Sequence, residues 1–369
     1  MTPNPGLIEI GIGGDLAGLR GRERGGLPPS NPRLQYRGWE GDFHEQFTHL
    51  AELMTDYDPK AAIQFIETMP PLDRAEEFGE IAAERGIPVR QFTALYVVGG
   101  DATTPDALDT LRANLDLARR VPTIERLNMQ VLGTNSYPSI EALVDFYIAA
   151  EDLAQNAGID LYTETHVDRF TYDPRRLIAV HEALLDRTSG RLGLRVAADF
   201  SHYVHQLGNP HFPNWEAISS GALNLDPRDP DNYVSRAIIA GGLVGYGHLR
   251  MAVPNDLPRG HGSIQYPVVD PVTDPETADL PNGGLKEPWA GERCIPWLTW
   301  YREIFSDQLR HPERPTARFS TEFIGDMAPG EYRVDSYRNL FQNIAMVSTA
   351  QRMIRAIAGT LSPAAPRVD

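Results

Sequence analysis

The chain has 369 residues, of which 41% are hydrophobic, and it carries a formal net charge of −16. A chain this acidic is a poor non-specific ligand for nucleic acid or an anionic membrane surface, and no apolar run approaches the length of about eighteen residues that spans a bilayer. Its single cysteine, Cys294, excludes an internal disulfide and a metal site built from several cysteines. The stretch "MTPNPGLIEIGIGG" lacks the basic segment and apolar core of a signal peptide, so we expect a cytoplasmic protein.

Strand-like and helix-like segments alternate along the first half of the chain. Their apolar periodicity predicts strands at 7–13, 62–69, 89–100 and 125–133, followed by helices at 42–57, 73–86, 104–121 and 139–158. Local signals support the helix ends: Gly86 stops the second helix, and Thr104 with Pro105 starts the third.

The second half of the chain repeats this scheme. Strands are predicted at 159–167, 194–202, 243–251 and 317–325, and helices near 173–190, 230–241, 289–309 and 335–360. Eight strand–helix pairs without a break in composition favour one (β/α)8 barrel domain over residues 1–369. The alternative is an open doubly wound sheet, but the stretch "GIGGDLAG" after the first strand does not match the Gly-x-Gly-x-x-Gly pattern typical of that fold.

Three connections, 14–41, 203–229 and 252–288, are too long for ordinary loops. Each follows the C-terminal end of a predicted strand, which in a barrel is the active-site face. We therefore expect them to form walls or lids of a pocket, with irregular surface decoration as the alternative.

Metal-capable side chains stand at the ends of the last four predicted strands. These residues are Glu164, Asp199, His248 and Glu322. Adjacent barrel strands bring such ends together at one mouth, where three carboxylates would repel one another without a cation. A hard, mostly oxygen site of this kind suits Mn²⁺, Mg²⁺ or Co²⁺ and tolerates Zn²⁺. The alternative for each acid alone is a helix cap or a solvated loop residue.

Further polar residues near these strand ends could contact a substrate. His202 could reach a substrate oxygen or support a ligand, and His166 and Arg169 could bind a polar substrate group or a loop carbonyl. Three histidines could take the place of His248 as a ligand: His166, His205 and His261.

The motifs "TETHVDRFT", "ADFSH", "GHLRM", "PRGHGSIQYP" and "STEF" resemble those of the xylose-isomerase-like TIM barrel superfamily. The Glu-Thr-His and Asp-x-Ser-His elements are most similar to the sugar phosphate isomerase/epimerase branch, and the likeness covers roughly residues 7–360. This resemblance implies a metal-binding barrel.

The resemblance also implies roles for particular residues. Glu164 and Glu322 would bind the metal and act as acid and base, Asp199 would be a further ligand, and His202 would hold a substrate oxygen. His248 matches the fourth ligand, but relatives often have His-x-x-Asp/Glu at this strand and this chain has His-Leu-Arg-Met. A different register would place Arg250 on the ligand position. The expected substrate contacts are His166, Arg169, His202, Arg250 and His261.

The implied enzyme is a divalent-metal-dependent isomerase or epimerase that removes a proton next to the carbonyl of a keto sugar. One metal ion per chain is expected, with Mn²⁺ placed before Mg²⁺, Co²⁺ and Zn²⁺. The main rival is a lyase that cleaves a 3-keto C-glycoside by elimination, like the large subunit of C-glycoside deglycosidases, which has a small β-rich partner subunit. The acidic charge disfavours an endonuclease IV-like DNA repair enzyme, and a non-catalytic binding module would lack the catalytic metal. We expect a carbohydrate or glycoside substrate, no nucleic acid or membrane partner, and an oligomer.

Overall fold

The structure is a computed structural model that describes residues 5–13, 41–98, 104–133, 137–254, 264–265, 268, 294–323 and 336–361. The strands in chain order are β1 Ile8–Gly11, β2 Ile66–Glu67, β3 Val89–Val97, β4 Arg126–Leu132, β5 Asp160–Glu164, β6 Val196–Ala198, β7 Val244–Leu249, β8 Ala252–Val253, β9 Ile264–Gln265 and β10 Ala317–Thr321. The helices are α1 Phe43–Tyr57, α2 Ala75–Glu84, α3 Thr104–Arg120, α4 Ile140–Ala157, α5 Pro174–Arg187, α6 Ser201–Val204, α7 Trp215–Ser219, α8 Ile295–Arg310 and α9 Ser336–Leu361, with a π-helix at Val234–Ile239.

Eight parallel strands form one sheet in the order β1-β10-β7-β6-β5-β4-β3-β2. A parallel bridge between Ile12 and Ile66 joins the two edges of this sheet, so the strands close into a barrel. The eighth barrel strand is therefore β10, whereas β8 and β9 pair with each other as a separate antiparallel ribbon. The predicted (β/α)8 barrel is confirmed.

The helices pack their apolar sides against this sheet, and α4 illustrates how the sequence sets their limits. Ser139 Oγ accepts a hydrogen bond from the Ala142 amide at 3.1 Å, which caps the start of the helix. Gly158 ends it with φ of +71°, a conformation that glycine adopts without a Cβ penalty. Spacing of three and four residues puts the buried side chains on one face: Leu143, Phe146, Tyr147, Ala150 and Ala154.

Arg126 closes the N-terminal end of the barrel. Its guanidinium donates to the backbone carbonyls of Gly245 at 2.7 Å and Thr316 at 2.6 Å, and it lies 5.2 Å from the ring centre of Tyr162. Because Arg126 is only 4% exposed, this end of the barrel is packed rather than open. The chemistry-bearing strand ends lie at the opposite, C-terminal end.

Several predicted boundaries were wrong. The strand predicted at 194–202 is only Val196–Ala198, because the Asp199 carboxylate accepts a hydrogen bond from the Ser201 amide at 3.0 Å and turns the chain into α6. The helix predicted at 230–241 is the six-residue π-helix, which two consecutive glycines follow.

The three long connections have different outcomes. The 203–229 connection contains the end of α6 and all of α7, with turns and irregular chain between and after them. The 14–41 connection lies outside the described residues except for residue 41, and so does 252–288 except for 252–254, 264–265 and 268. Among the helices that the structure describes, none has the length and apolar character needed to cross a membrane.

Candidate metal centre

Four predicted ligands meet at the C-terminal mouth of the barrel. Glu164 ends β5, Asp199 follows β6, His248 lies near the end of β7, and Glu322 follows β10. Each residue offers one ligand atom, and these four atoms all lie within 4.8 Å of one another. Since the four strands are neighbours in the sheet, the cluster follows directly from the barrel topology.

One carboxylate oxygen of Glu164 accepts hydrogen bonds from neighbouring side chains, and the other faces the cluster. Its Oε2 accepts hydrogen bonds from Asn128 Nδ2 and from Gln130 Nε2, the latter at 2.8 Å. Its Oε1 is buried without a hydrogen-bond donor among the described residues and lies 3.6 Å from His248 Nδ1. Burial opposes the charge, but His248 outweighs it and lowers the pKa of Glu164. Glu164 is therefore a carboxylate whose unshared oxygen faces the centre of the cluster.

Asp199 is held by groups on both sides of its carboxylate. Oδ1 accepts from the amide and hydroxyl of Ser201, and Oδ2 lies 3.0 Å from Arg250 Nη2 and 3.2 Å from His202 Nε2. Burial alone would raise the pKa of Asp199, but the guanidinium of Arg250 is the main group that lowers it. The predicted substrate residue Arg250 therefore contacts a predicted ligand directly.

His248 bridges carboxylates through both of its ring nitrogens. Nδ1 lies 3.2 Å from Glu322 Oε2, and Nε2 lies 3.0 Å from Glu67 Oε1. Burial disfavours the imidazolium, but the surrounding carboxylates, led by Glu322, hold the pKa of His248 well above its ordinary value. In the protein without a metal, His248 is thus a buried cation among acids.

The pKa of Glu322 is shifted in the opposite direction from that of Glu164. Burial, together with the nearby charge of Glu164, raises its pKa to about 7, although His248 and Arg250 act in the other direction. Its Oε2 is 4.0 Å from Arg250 Nε. Near neutral pH this carboxyl group is therefore poised between its protonated and ionised forms.

The charge at the mouth fits a divalent cation. Among the described residues, the carboxyl groups of Glu67, Glu164, Asp199 and Glu322 contact two cationic side chains, His248 and Arg250, and a third, Arg169, acts on Glu164. Buried carboxylates in excess of cations are costly unless a counter-ion compensates them. The unshared Glu164 oxygen and the close spacing of the four ligand atoms give such an ion a place to bind. One nitrogen and three oxygens form a donor set of the kind that Mn²⁺, Mg²⁺, Co²⁺ and Zn²⁺ accept.

The predicted substrate residues lie beside this cluster. Glu164, His166 and His202 form a second group of close ligand atoms, and the rings of the two histidines lie 4.0 Å apart. Burial, and then the neighbouring His202, lowers the pKa of His166 well below its ordinary value, so this imidazole is neutral. Arg169 donates to Gln130 Oε1 at 3.1 Å. His261 lies outside the described residues.

His205 is not part of the four-atom cluster, although it was predicted as a possible replacement for His248. Its ring is fully buried and lies 5.6 Å from that of His202, and neither ring nitrogen has a hydrogen-bond partner among the described residues. Burial lowers its pKa well below the ordinary value. In the structure, the histidine that lies with the three acids is therefore His248 and not His205.

Sequence reasoning missed Glu67, Asn128 and Gln130. Glu67 lies at the end of β2 and contacts His248, while the two amides on β4 hold Glu164. The signal for Glu67 was present, because an acid at a strand end is the same pattern that identified Glu164. For Asn128 and Gln130 the signal was weaker: their spacing of two places them on one face of β4, but not necessarily the inner face.

No family model matches the chain, and no curated protein matches its sequence. Solved structures do match. The IOLI protein, whose structure has a bound zinc atom, is 11% identical with a TM-score of 0.51, and the match covers 96% of this chain and 99% of that one. A xylose isomerase-like TIM barrel/4-hydroxyphenylpyruvate dioxygenase fusion protein is 12% identical with a TM-score of 0.52. That match covers 98% of this chain but only 45% of the fusion protein. The predicted resemblance is confirmed for the fold, which is that of xylose isomerase-like TIM barrels.

Proposed function

We propose that this xylose isomerase-like barrel is a divalent-metal-dependent enzyme that removes and returns a proton next to the carbonyl of a keto sugar. The observation that carries the proposal is the convergence of Glu164, Asp199, His248 and Glu322 at the barrel mouth. These four side chains would hold the cation. Such a cation, when bound, supplies positive charge that stabilises the oxygen of a developing enolate.

The two glutamates differ in a way that suits opposite proton transfers. Glu164 has a lowered pKa and an oxygen free to accept a proton, whereas Glu322 has a pKa of about 7 and can hold one near neutral pH. Pairs of carboxyl groups with pKa values pushed apart are typical of acid–base sites. We assign Glu164 as the base that takes the proton and Glu322 as the acid that returns it. Return to the other face of the same carbon epimerises the sugar, and return to the adjacent carbon isomerises it.

The groups beside the cluster suit a polyhydroxylated substrate. His166 and His202 form a polar wall with ring centres 4.0 Å apart, and Arg250 Nη2 lies 2.8 Å from His202 Nε2. The neutral imidazole of His166 can both donate to and accept from hydroxyl groups, which carboxylates or lysines alone do not. The keto-sugar class itself comes from the resemblance of the sequence motifs. Isomerisation, epimerisation and elimination share the same first proton transfer, so analysis of the products separates the isomerase from the C-glycoside lyase.

The test begins with the metal content of the purified, dialysed protein, measured by plasma mass spectrometry. We expect about one ion per chain in the wild type and its loss in Asp199→Ala. Glu9→Gln is the control, because Glu9 lies on β1 and pairs with Arg318 at 2.6 Å, away from the four ligands. A wild-type protein that stays metal-free after reloading with each cation would refute the proposal.

The second step is proton exchange into keto sugars and 3-keto C-glycosides in D₂O, followed by NMR. We expect deuterium at the carbon next to the carbonyl with the loaded wild type and a loss of at least about 100-fold in Glu164→Gln and Glu322→Gln. Metal binding measured on the same variants separates loss of the base from loss of a ligand. Unchanged exchange in either variant would remove that residue from its assigned role. The oligomeric state, the small second subunit and the single-domain organisation stay predictions.

A further inference from the structure

We propose that Glu67 is a positioning residue, which keeps the proton of His248 on Nε2 so that Nδ1 is presented to the metal. This inference rests on the proposed function, since it concerns a ligand of the proposed metal. Glu67 is 4% exposed and lies on β2, across the barrel from β7. Its two carboxylate oxygens lie 3.0 and 3.2 Å from His248 Nε2.

The direction of this hydrogen bond follows from what surrounds Glu67. Thr93 Oγ1 donates to Glu67 Oε1 at 2.7 Å, and Gln91 Nε2 donates to Glu67 Oε2 at 3.3 Å. Ser320 Oγ also donates to Oε2. An ionised carboxylate only accepts hydrogen bonds. The Nε2 atom that faces it must therefore carry the proton, because two acceptors placed 3.0 Å apart would repel.

A further hydrogen bond, from Asn128, sets the direction in which the Thr93 hydroxyl donates. Asn128 Nδ2 donates to Thr93 Oγ1 at 3.0 Å and also to Glu164 Oε2. Since Thr93 Oγ1 accepts from Asn128, its own proton is directed to Glu67. The carboxylates of Glu67 and Glu164 are therefore connected by one run of oriented hydrogen bonds, and all of its members are buried.

With one proton held on Nε2, the proton that a cation displaces from the metal-free imidazolium is the one on Nδ1, and the lone pair is then on Nδ1. That atom faces the cluster, 3.2 Å from Glu322 Oε2 and 3.6 Å from Glu164 Oε1. A metal-ligating imidazole commonly donates its other N–H to a carboxylate, and loss of that partner typically lowers metal affinity by about 10–100-fold. We expect a decrease of this size when the carboxylate of Glu67 no longer reaches Nε2.

Two variants of Glu67 separate the effect of its hydrogen bond to His248 from the effect of its negative charge. Glu67→Gln removes the charge and offers an amide that can turn its donor towards Nε2. Glu67→Asp keeps the charge but withdraws it by one methylene group. Glu9→Gln is the matched control, because it makes the same change on the adjacent strand β1 at the other end of the barrel. Affinity for Zn²⁺ is measured by competition with a chromophoric chelator, and folding is checked by thermal unfolding.

The second readout is the proton position itself. Two-bond ¹H–¹⁵N correlation spectra of protein labelled in histidine show which ring nitrogen carries hydrogen, and His248 is assigned from the signal missing in His248→Asn. The wild type loaded with Zn²⁺ should show His248 protonated at Nε2. Both Glu67 variants should bind Zn²⁺ about 10–100-fold more weakly and should show an Nε2 proton that exchanges faster with solvent, whereas Glu9→Gln should behave like the wild type in both respects.

Three results would overturn the proposal or separate it from the proposed function. Wild-type Zn²⁺ affinity in both Glu67 variants overturns it. Weaker binding with an unchanged exchange rate of the Nε2 proton also overturns it, because Glu67 would then act through its charge or through folding alone. If the wild type binds no cation, the proposed function fails first. Spectra of the metal-free protein still test whether Glu67 accepts a hydrogen bond from His248. The Nε2 proton must exchange slowly in the wild type and faster in both variants.

Discussion

Removing the hydroxyl group of Tyr301 tests whether the backbone beneath the proposed metal centre is held by α8. Tyr301 is fully buried, and the single proton of its hydroxyl is shared between the carbonyl of Ala198 at 2.9 Å and the carbonyl of His248. It also accepts from the amide of Phe200 at 3.4 Å. One oxygen therefore ties the end of β6, next to Asp199, to the end of β7.

The size of the effect follows from these contacts. A buried polar group that loses its partner costs about 1–3 kcal/mol, and Tyr301→Phe leaves two carbonyls and one weakly bound amide with fewer partners. We expect a loss of about 2–4 kcal/mol in the free energy of unfolding. With an unfolding entropy of about 2 cal/mol/K per residue over the whole chain, this corresponds to a decrease of about 3–5 °C in Tm. Because the carbonyl of His248 is released, metal affinity should also decrease by about tenfold.

The assay pairs thermal unfolding with a metal titration, and Tyr96→Phe is the matched control. Tyr96 is equally buried, but its hydroxyl accepts one hydrogen bond from Asn114 Nδ2 at 3.0 Å, between β3 and α3. That control should lose about 1 kcal/mol and bind metal like the wild type. If Tyr301→Phe binds metal as tightly as Tyr96→Phe, the hydroxyl of Tyr301 does not position the ligands and the reasoning is refuted.

Three other predictions concern pH, the closed end of the barrel and its packing. Since the pKa of Glu322 is raised to about 7 and a protonated carboxyl group binds a cation more weakly than a carboxylate does, metal affinity should decrease by up to about tenfold per pH unit below 7; a dissociation constant that is flat from about pH 6 to 8 would contradict this. Arg126→Met removes the guanidinium donor from the half-buried carbonyls of Gly245 and Thr316, so urea unfolding should show a loss of about 1–3 kcal/mol with unchanged metal affinity; wild-type stability would contradict the account of the closed end. Gly247→Ala places a Cβ only 2.7 Å from the carbonyl of Ala198 and should lower both Tm and metal affinity, whereas Gly359→Ala, on an open helix face, should leave Tm equal or slightly higher. Equal melting temperatures for the two glycine variants would contradict the packing argument.

The sequence was sufficient to predict the fold and the four-residue cluster. Parallel strands leave their C-terminal ends on one side of a barrel, so Glu164 and Glu322 come together although they are far apart in the chain. This inference needs only the strand ends, and errors of a few residues in the boundaries do not change it. The same argument placed Asp199 and His248 at the mouth.

The supporting residues could not be predicted in the same way. Glu67 stands near the end of the predicted strand at 62–69, but its contact with His248 on β7 depends on how the two side chains meet inside the barrel. Asn128 and Gln130 point inward only because of the register of β4 against β5, which pairs Asn128 with Tyr162. The contact between Arg250 and Asp199 joins residues on different strands and depends on the side-chain conformation of both. Tertiary packing, rather than local pattern, determines each of these contacts.

The positions of the four proposed ligands along the chain determine when during folding the protein can bind a metal. These proposed ligands lie on or just after the last four barrel strands, β5, β6, β7 and β10, and the last of them follows a strand whose neighbours are β7 and β1. A growing or refolding chain therefore lacks a complete coordination set until β10 has inserted between strands from opposite ends of the sequence. Such distant pairings form late, because their loop-closure entropy is large. Metal uptake followed in real time during refolding should accordingly report the closure of the barrel. A metal-sensitive signal would then measure the rate of the last folding step.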